Sequence, residues 1–137
     1  MVYKKTVNCN TSNLGMLRHF VSGVLYERQV PANLVNMIVL AVDEVCANRM
    51  IHSNQENHEE AIEVSIRPGR NENEVLIEIK DQGDCFDIAS YCVPNMTEVV
   101  KQRKTGGMGL ILVKKIIDHI QVYKDGNTNI CQLYKKL

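Results

Sequence analysis

Three short segments of the chain hold residues whose types and spacing can do chemistry. In the first, Asp43-Glu44-Val45-Cys46-Ala47-Asn48, Glu44 and Asn48 stand four apart. On an α-helix that spacing places them about 40° apart on one face, a turn from each other. A carboxylate and an amide oxygen so placed can position a hydrated magnesium ion, a hard cation that prefers oxygen ligands and keeps its waters. Taken alone, the same residues read more simply as a solvated polar stripe opposite a core face. His52 is expected to extend their row by one more turn.

The second segment, Asp81-Gln82-Gly83-Asp84-Cys85-Phe86-Asp87, follows an alternating apolar run. An Asp at a strand end can accept a hydrogen bond from an amino group in a pocket. Gly83 would let the backbone pass close to a planar ligand. The competing reading is an ordinary acidic turn. The third segment, Lys104-Thr105-Gly106-Gly107-Met108-Gly109, leads into an apolar helical run. Glycines entering a helix leave unpaired amides at its positive dipole end, which makes an anion site. Three glycines in four positions also cost chain entropy that a passive loop has little reason to bear. The segment matches neither the P-loop nor the dinucleotide fingerprint. A flexible hinge is the alternative.

These segments need elements to position them. Val2 to Asn8 has the β-branched character of a short strand. Ser12 or Asn13 is placed to cap a helix, in which Leu14, Leu17, Phe20, Val21, Val24 and Leu25 recur at spacings of three and four. A second helix starts near Pro31 and carries Leu34, Ile38, Ala41, Val42, Val45 and Met50. Ile62, Val64 and Ile66, then Val75, Ile77 and Ile79, alternate with polar or outward residues across the Pro68-Gly69 turn. They predict an antiparallel hairpin. Residues 88–105 lack a period, contain Pro94 and end in basic residues, so they are expected to form a mobile loop. Leu110 to Ile120 reads as a helix, and Gln121 to Lys124 and Asn129 to Lys135 as strands around Asp125-Gly126-Asn127. Strands and helices are grouped rather than strictly alternating. The expected class is α+β, with helices on one face of a mixed, largely antiparallel sheet.

The chain's 137 residues suit a single domain spanning 1–137, long enough to bury a core without metals or disulfides. Sixteen basic and sixteen acidic residues cancel, and the signs are interspersed. That argues against direct nucleic-acid binding and against an anionic membrane surface. With no Trp, two Phe and five Tyr there is no broad stacking platform for single strands. No apolar run reaches the roughly 18 residues of a membrane span, and the first residues lead into no signal-peptide segment. A cytoplasmic protein is expected. The five cysteines are scattered without a CxxC pair, as reduced and largely buried thiols would be.

Taken in order, a helical Glu-x-x-x-Asn, a strand ending in Asp-x-Gly and a Gly-Gly-x-Gly helix start resemble the GHKL (Bergerat-fold) ATPase and kinase superfamily. There the segments are the N box, the G1 box and the G2 box. The resemblance runs from about Leu40 to Asp118. Within the superfamily the chain looks most like the anti-sigma factor serine/threonine kinases. Those are similarly short, and their last motif resembles Gly106-Gly107-Met108-Gly109-Leu110-Ile111-Leu112-Val113 nearly residue for residue.

The resemblance implies the Bergerat fold, ATP as ligand and Mg²⁺ as cofactor. Asn48 would ligate Mg²⁺, and Glu44 would act as base or orient the acceptor hydroxyl. Asp81 would bond the adenine amino group and Gly83 would give the base room. Gly106, Gly107 and Gly109 would hold phosphates, with Lys104 adding charge, and residues 88–105 would be the ATP lid. The implied partners are a sigma factor and a STAS-type anti-anti-sigma protein, with a homodimer also in view. The chain departs from the family pattern at Cys85, where a second G1 glycine is usual. Arg49 and Met50 are bulkier than the residues usual after the N-box Asn. A nucleotide-gated binding module without strong transfer activity is therefore the alternative function.

Overall fold

A computed structural model describes residues 2–53, 57, 59–83 and 107–137. The two-residue periods become strands. Ile62, Val64 and Ile66 of β2 (Ala61–Pro68) pair antiparallel with Val75, Ile77 and Ile79 of β3 (Glu74–Asp81), and all six are buried. Burying a side chain of this size contributes about 1.5–3 kcal/mol, so a one-residue slip of register would forfeit the whole face. β1 (Tyr3–Asn8) adds on one side of β2. On the other side β3 pairs with β5 (Thr128–Lys136), and β4 (His119–Asp125) closes the far edge. The order is β1-β2-β3-β5-β4. Among the described residues every pairing is antiparallel, in keeping with the mixed, largely antiparallel sheet expected from the sequence.

Two turns depend on glycine. Gly126 takes φ +61° between Asp125 and Thr128, the left-handed conformation a two-residue hairpin needs. At Gly69 a Cβ would lie 2.6 Å from Glu74 Cγ, so no side chain fits there without displacing Glu74. Glu74 in turn accepts from the Arg70 amide at 2.8 Å. Burial works to raise its pKa, but the Arg70 amide and guanidinium outweigh that and hold it below the usual carboxylate value.

The helices cover one face of the sheet. α1 (Leu14–Glu27) buries Leu17, Val21, Val24 and Leu25. A 3₁₀ turn, Thr11–Asn13, precedes it, and the cap is Asn10, whose side chain accepts from the Ser12 amide at 3.0 Å. Asn13, expected along with Ser12 as a candidate cap, makes no such bond and instead donates to the Asn8 carbonyl. α2 (Ala32–Asn48) packs against α1 and against α3 (Gly107–Ile116). The expected helix from Leu110 to Ile120 thus begins and ends earlier. Asp118 donates its amide to Tyr134 and accepts from the Lys136 amide, which draws the chain into the sheet before Ile120. Among the described residues, no helix is long and apolar enough to cross a membrane.

Candidate functional site

α2 separates two rows of residues. One is buried: Val35, Ile38, Ala41 with Val42, and Val45 with Cys46. The other, Leu40, Glu44 and Asn48, lies a turn apart at each step and is half-buried or exposed. Glu44 and Asn48 therefore share the helix face that the sequence assigned to them, clear of the core. Among the described residues no group of three or more His, Cys, Asp and Glu gathers as a metal cage. A single amide oxygen beside a carboxylate suits magnesium, which keeps most of its waters, better than metals that demand a full protein shell.

After Asn48 the helix changes winding. Arg49–Ser53 forms a π-helical turn, a feature that recurs at functional sites. The wider winding shifts the phase beyond Asn48, so the simple i, i+4 extension of the row to His52 does not carry over. Arg49 opens this turn and falls on the core side, four residues from Val45 and three from Cys46. A buried guanidinium needs a partner, and it has one. Its Nε donates to Asp81 Oδ2 at 2.6 Å and its Nη2 donates to Asp81 Oδ1 at 2.8 Å. The two side chains are 3% and 0% exposed.

Asp81 ends β3 in phase with Ile77 and Ile79, so its carboxylate lies on the helix-covered side of the sheet. Asn129 is its register partner on β5. Asn129 Nδ2 donates to Asp81 Oδ1 at 3.1 Å and to the Gly83 carbonyl at 2.9 Å. The Gly83 amide donates to Asp81 Oδ1 at 3.0 Å. The Asp81-Gln82-Gly83 turn is thus fastened from inside, and Arg49 ties it to the end of α2. Asn48 and Asp81 are thereby brought to the same end of the molecule, although 33 positions separate them in the chain.

Three buried thiols stand in the field of this ion pair. Burial pushes Cys9 up to about 11, with Asp81 and Glu60 adding to the rise and Arg49 opposing it. Burial likewise pushes Cys131 up to about 12, with Arg49 opposing and Asp81 adding. Cys46 is raised well above the ordinary value, first by burial and then by Asp43. All three are free, protonated at neutral pH and enclosed, which fits structural thiols rather than nucleophiles.

Gly107, Met108 and Gly109 form the first turn of α3. The amides of a first helical turn have no acceptor within the helix and carry the positive dipole end. Because α3 packs on α2, this turn belongs to the same helical layer as Glu44 and Asn48. Lys104, Gly106, Cys85 and the expected lid at 88–105 lie outside the described residues.

Sequence reasoning missed Asn129 as a site residue and noted Arg49 only for its bulk. The signal for Arg49 was present: a guanidinium spaced on the apolar row of α2 has to meet a buried acid. Nothing local in the sequence aligns Asn129 with Asp81.

The profile of the histidine kinase-like ATPase domain matches residues 7–135. The chain is 30% identical over 121 residues to the serine-protein kinase RsbW of Bacillus licheniformis, covering 85% of this chain and 74% of that protein. It is 27% identical over 131 residues to the serine-protein kinase RsbW of Staphylococcus aureus, covering 90% and 80%. Among solved structures, it superposes with a TM-score of 0.64 on a chain of the SiaB–SiaC complex from Pseudomonas aeruginosa. That likeness covers 98% of this chain and 89% of the other at 13% identity, and so speaks to the fold.

Proposed function

We propose that this chain, which belongs to the histidine kinase-like ATPase family, is an ATP-dependent serine/threonine-protein kinase of the anti-sigma factor type. Its acceptor is a serine or threonine on a STAS-type anti-anti-sigma protein, and its second partner is a sigma factor, so that phosphorylation regulates transcription by partner switching. The kinase relatives named above support the reaction class. The observation that supports the reading is that Glu44 and Asn48 share one open face of α2, a helix that packs on the glycine-led α3 and whose end is tied through Arg49 to the turn that begins at Asp81. The protein acts in the cytoplasm on this reading, as one domain able to pair with a second copy.

The chain's own residues divide the work. Asn48 offers its amide oxygen to Mg²⁺, which supplies charge neutralisation on the phosphates when bound. Glu44, one turn away and partly solvated, holds and orients the acceptor hydroxyl and takes its proton as the oxygen bonds to the γ-phosphorus. The bond from that phosphorus to the β-phosphate oxygen breaks, and ADP leaves. The amides of Gly106, Gly107 and Gly109 and the Lys104 ammonium hold phosphate oxygens. Asp81 accepts from the adenine amino group, and Gly83 leaves the base room. Phosphoryl transfer asks mainly for positioning and electrostatic stabilisation, so this small set is sufficient.

One observation favours a second reading, a nucleotide-gated binding module with weak transfer: the Asp81 carboxylate is already held by Arg49. Incubation with Mg-ATP and STAS proteins of the same genome, read by mass spectrometry, separates the two. The kinase reading expects phosphoserine or phosphothreonine on one STAS protein, and its rate to fall about 10²–10⁴-fold in Glu44→Gln. Mg-ATP binding with no phosphate transfer to any of them would leave only the binding module.

A further inference from the structure

The carboxylate placed to read a base is already engaged by Arg49 on both oxygens. An ionised carboxylate has about four lone-pair sites. Four donors reach Asp81: Arg49 Nε at 2.6 Å, Arg49 Nη2 at 2.8 Å, the Gly83 amide at 3.0 Å and Asn129 Nδ2 at 3.1 Å. Its side chain is 0% exposed. Three of these bonds fall on Oδ1 and one, from Arg49 Nε, on Oδ2, and with the side chain enclosed an amino group of a nucleobase has no open approach to either oxygen. It can bond Asp81 only by taking the place of a donor already there.

Two of the four bonds come from the turn and from β5, and the other two come from Arg49. The Gly83 amide belongs to the turn that Asp81 itself starts, and Asn129 is locked to the same turn through the Gly83 carbonyl. Both are held by strands β3 and β5, and neither can leave without undoing the strand end. Arg49 is different. It comes from another layer, on a long side chain, from the first residue of a π-helical turn. It also follows Asn48 directly, at the end of α2 where the nucleotide's magnesium side is assigned. Its guanidinium mimics a base at the carboxylate, offering two parallel N–H donors where adenine would offer one.

We infer that Arg49 is a specificity-determining latch, an internal occupant of the base-reading position that competes with adenine for Asp81. Nucleotide binds fully only in the fraction of molecules in which Arg49 has swung away from Asp81. This rests on the reading of Asp81 as the base acceptor and adds to it a closed resting state. The apparent affinity for the base is the intrinsic affinity reduced by the open fraction. A partner that contacts the π-helical turn and favours the open form would raise nucleotide affinity by the same factor.

The test titrates adenosine and Mg-ATP separately into the wild-type chain, Arg49→Ala and Arg49→Gln by calorimetry. Adenosine carries no phosphate, so its affinity reports on the base alone. With an open fraction of about one tenth or less, Arg49→Ala should bind adenosine about tenfold more tightly or better. Arg49→Gln retains one donor for Asp81 and should fall between. It also serves if the alanine variant does not fold. Adenosine affinity unchanged or weaker in the folded variants overturns the latch while leaving nucleotide binding intact. Failure of all three proteins to bind Mg-ATP overturns the nucleotide reading itself, and the latch with it. In the wild-type chain, the ¹⁵N resonance of Arg49 Nε gives a second measure. Its protected N–H should be lost on saturation with Mg-ATP, and its persistence at saturation would show that base and latch do not compete.

Discussion

Asp81→Asn removes one charge and leaves the shape of the side chain, so its effect follows from the four bonds at the carboxylate. If the remaining oxygen keeps the Gly83 amide, Asn129 and Arg49 Nη2, the new NH₂ group takes the place of Oδ2. It then faces Arg49 Nε, a donor now 2.6 Å away. Two donors repel, and Arg49, 3% exposed, is left as a buried charge without its counter-ion. Removing one partner of a buried pair costs about 3–5 kcal/mol. That is a large part of the roughly 5–15 kcal/mol that keeps a domain folded. With a urea m-value of about 2 kcal/mol/M, the unfolding midpoint should drop by about 2 M. The double variant Arg49→Met with Asp81→Asn removes both the charge and the clash, and should recover most of the loss. A loss below about 1 kcal/mol in Asp81→Asn, or strictly additive losses in the double variant, would refute the reasoning. The cycle also bears on function. Asp81→Asn alone cannot report base recognition cleanly, because it frees Arg49 at the same time.

Asn48→Ala should keep the melting-temperature rise caused by ATP alone but lose the further rise that magnesium adds, because a ligand stabilises the fold only in proportion to its binding; an unchanged magnesium increment would remove Asn48 from the metal site. Cys131 has a folded pKa of about 12 against an ordinary 9.0, so its contribution is complete below pH 9 and is lost as pH rises from there towards 12. Cys131→Ala should therefore flatten the alkaline decline of the urea midpoint, by up to about 1.4 kcal/mol per pH unit within that window. Gly69→Ala should destabilise the fold by about 1–3 kcal/mol in urea unfolding, because a Cβ 2.6 Å from Glu74 Cγ must displace Glu74 from the Arg70 amide.

Much of the fold was legible because its signals are local. β2 and β3 announce themselves by strict alternation, and α1 and α2 by apolar residues every three or four positions. The two antiparallel hairpins, β2–β3 and β4–β5, follow from such runs and the turns between them. What was not legible is the insertion of β5 between β3 and β4, which aligns Asp81 with Asn129 across 48 positions. No local pattern encodes such a pairing. The end of α3 was misplaced because Ile116, Ile117 and Ile120 continue an apolar run through the helix–strand boundary. The decisive signal is Asp118, whose backbone and carboxylate both bond to β5. In the site, the Glu44–Asn48 row was readable from one helix period. The Arg49–Asp81 pair was not, since it joins two elements 32 positions apart.

Glu44, Asn48 and the glycines from Gly106 to Gly109, the residues assigned to metal and phosphate, keep the types and spacing of the GHKL pattern. Arg49 and Met50, which depart from it, follow the N-box Asn48, and Cys85 stands in the G1 box; of these, Arg49 reaches across to bond Asp81. A site that had simply decayed would have lost the metal and phosphate residues too. On the function proposed above, a chain that keeps Glu44, Asn48 and the glycines retains its means of handling a triphosphate, and the Arg49–Asp81 pair changes only the terms on which a nucleotide enters. The arginine makes this specific, because a decaying pocket does not need to supply a buried guanidinium with a bidentate carboxylate partner, and desolvating both charges is costly. On the function proposed above, the closed pair is a second state of the same pocket, with Asp81 serving Arg49 in one state and the nucleotide in the other.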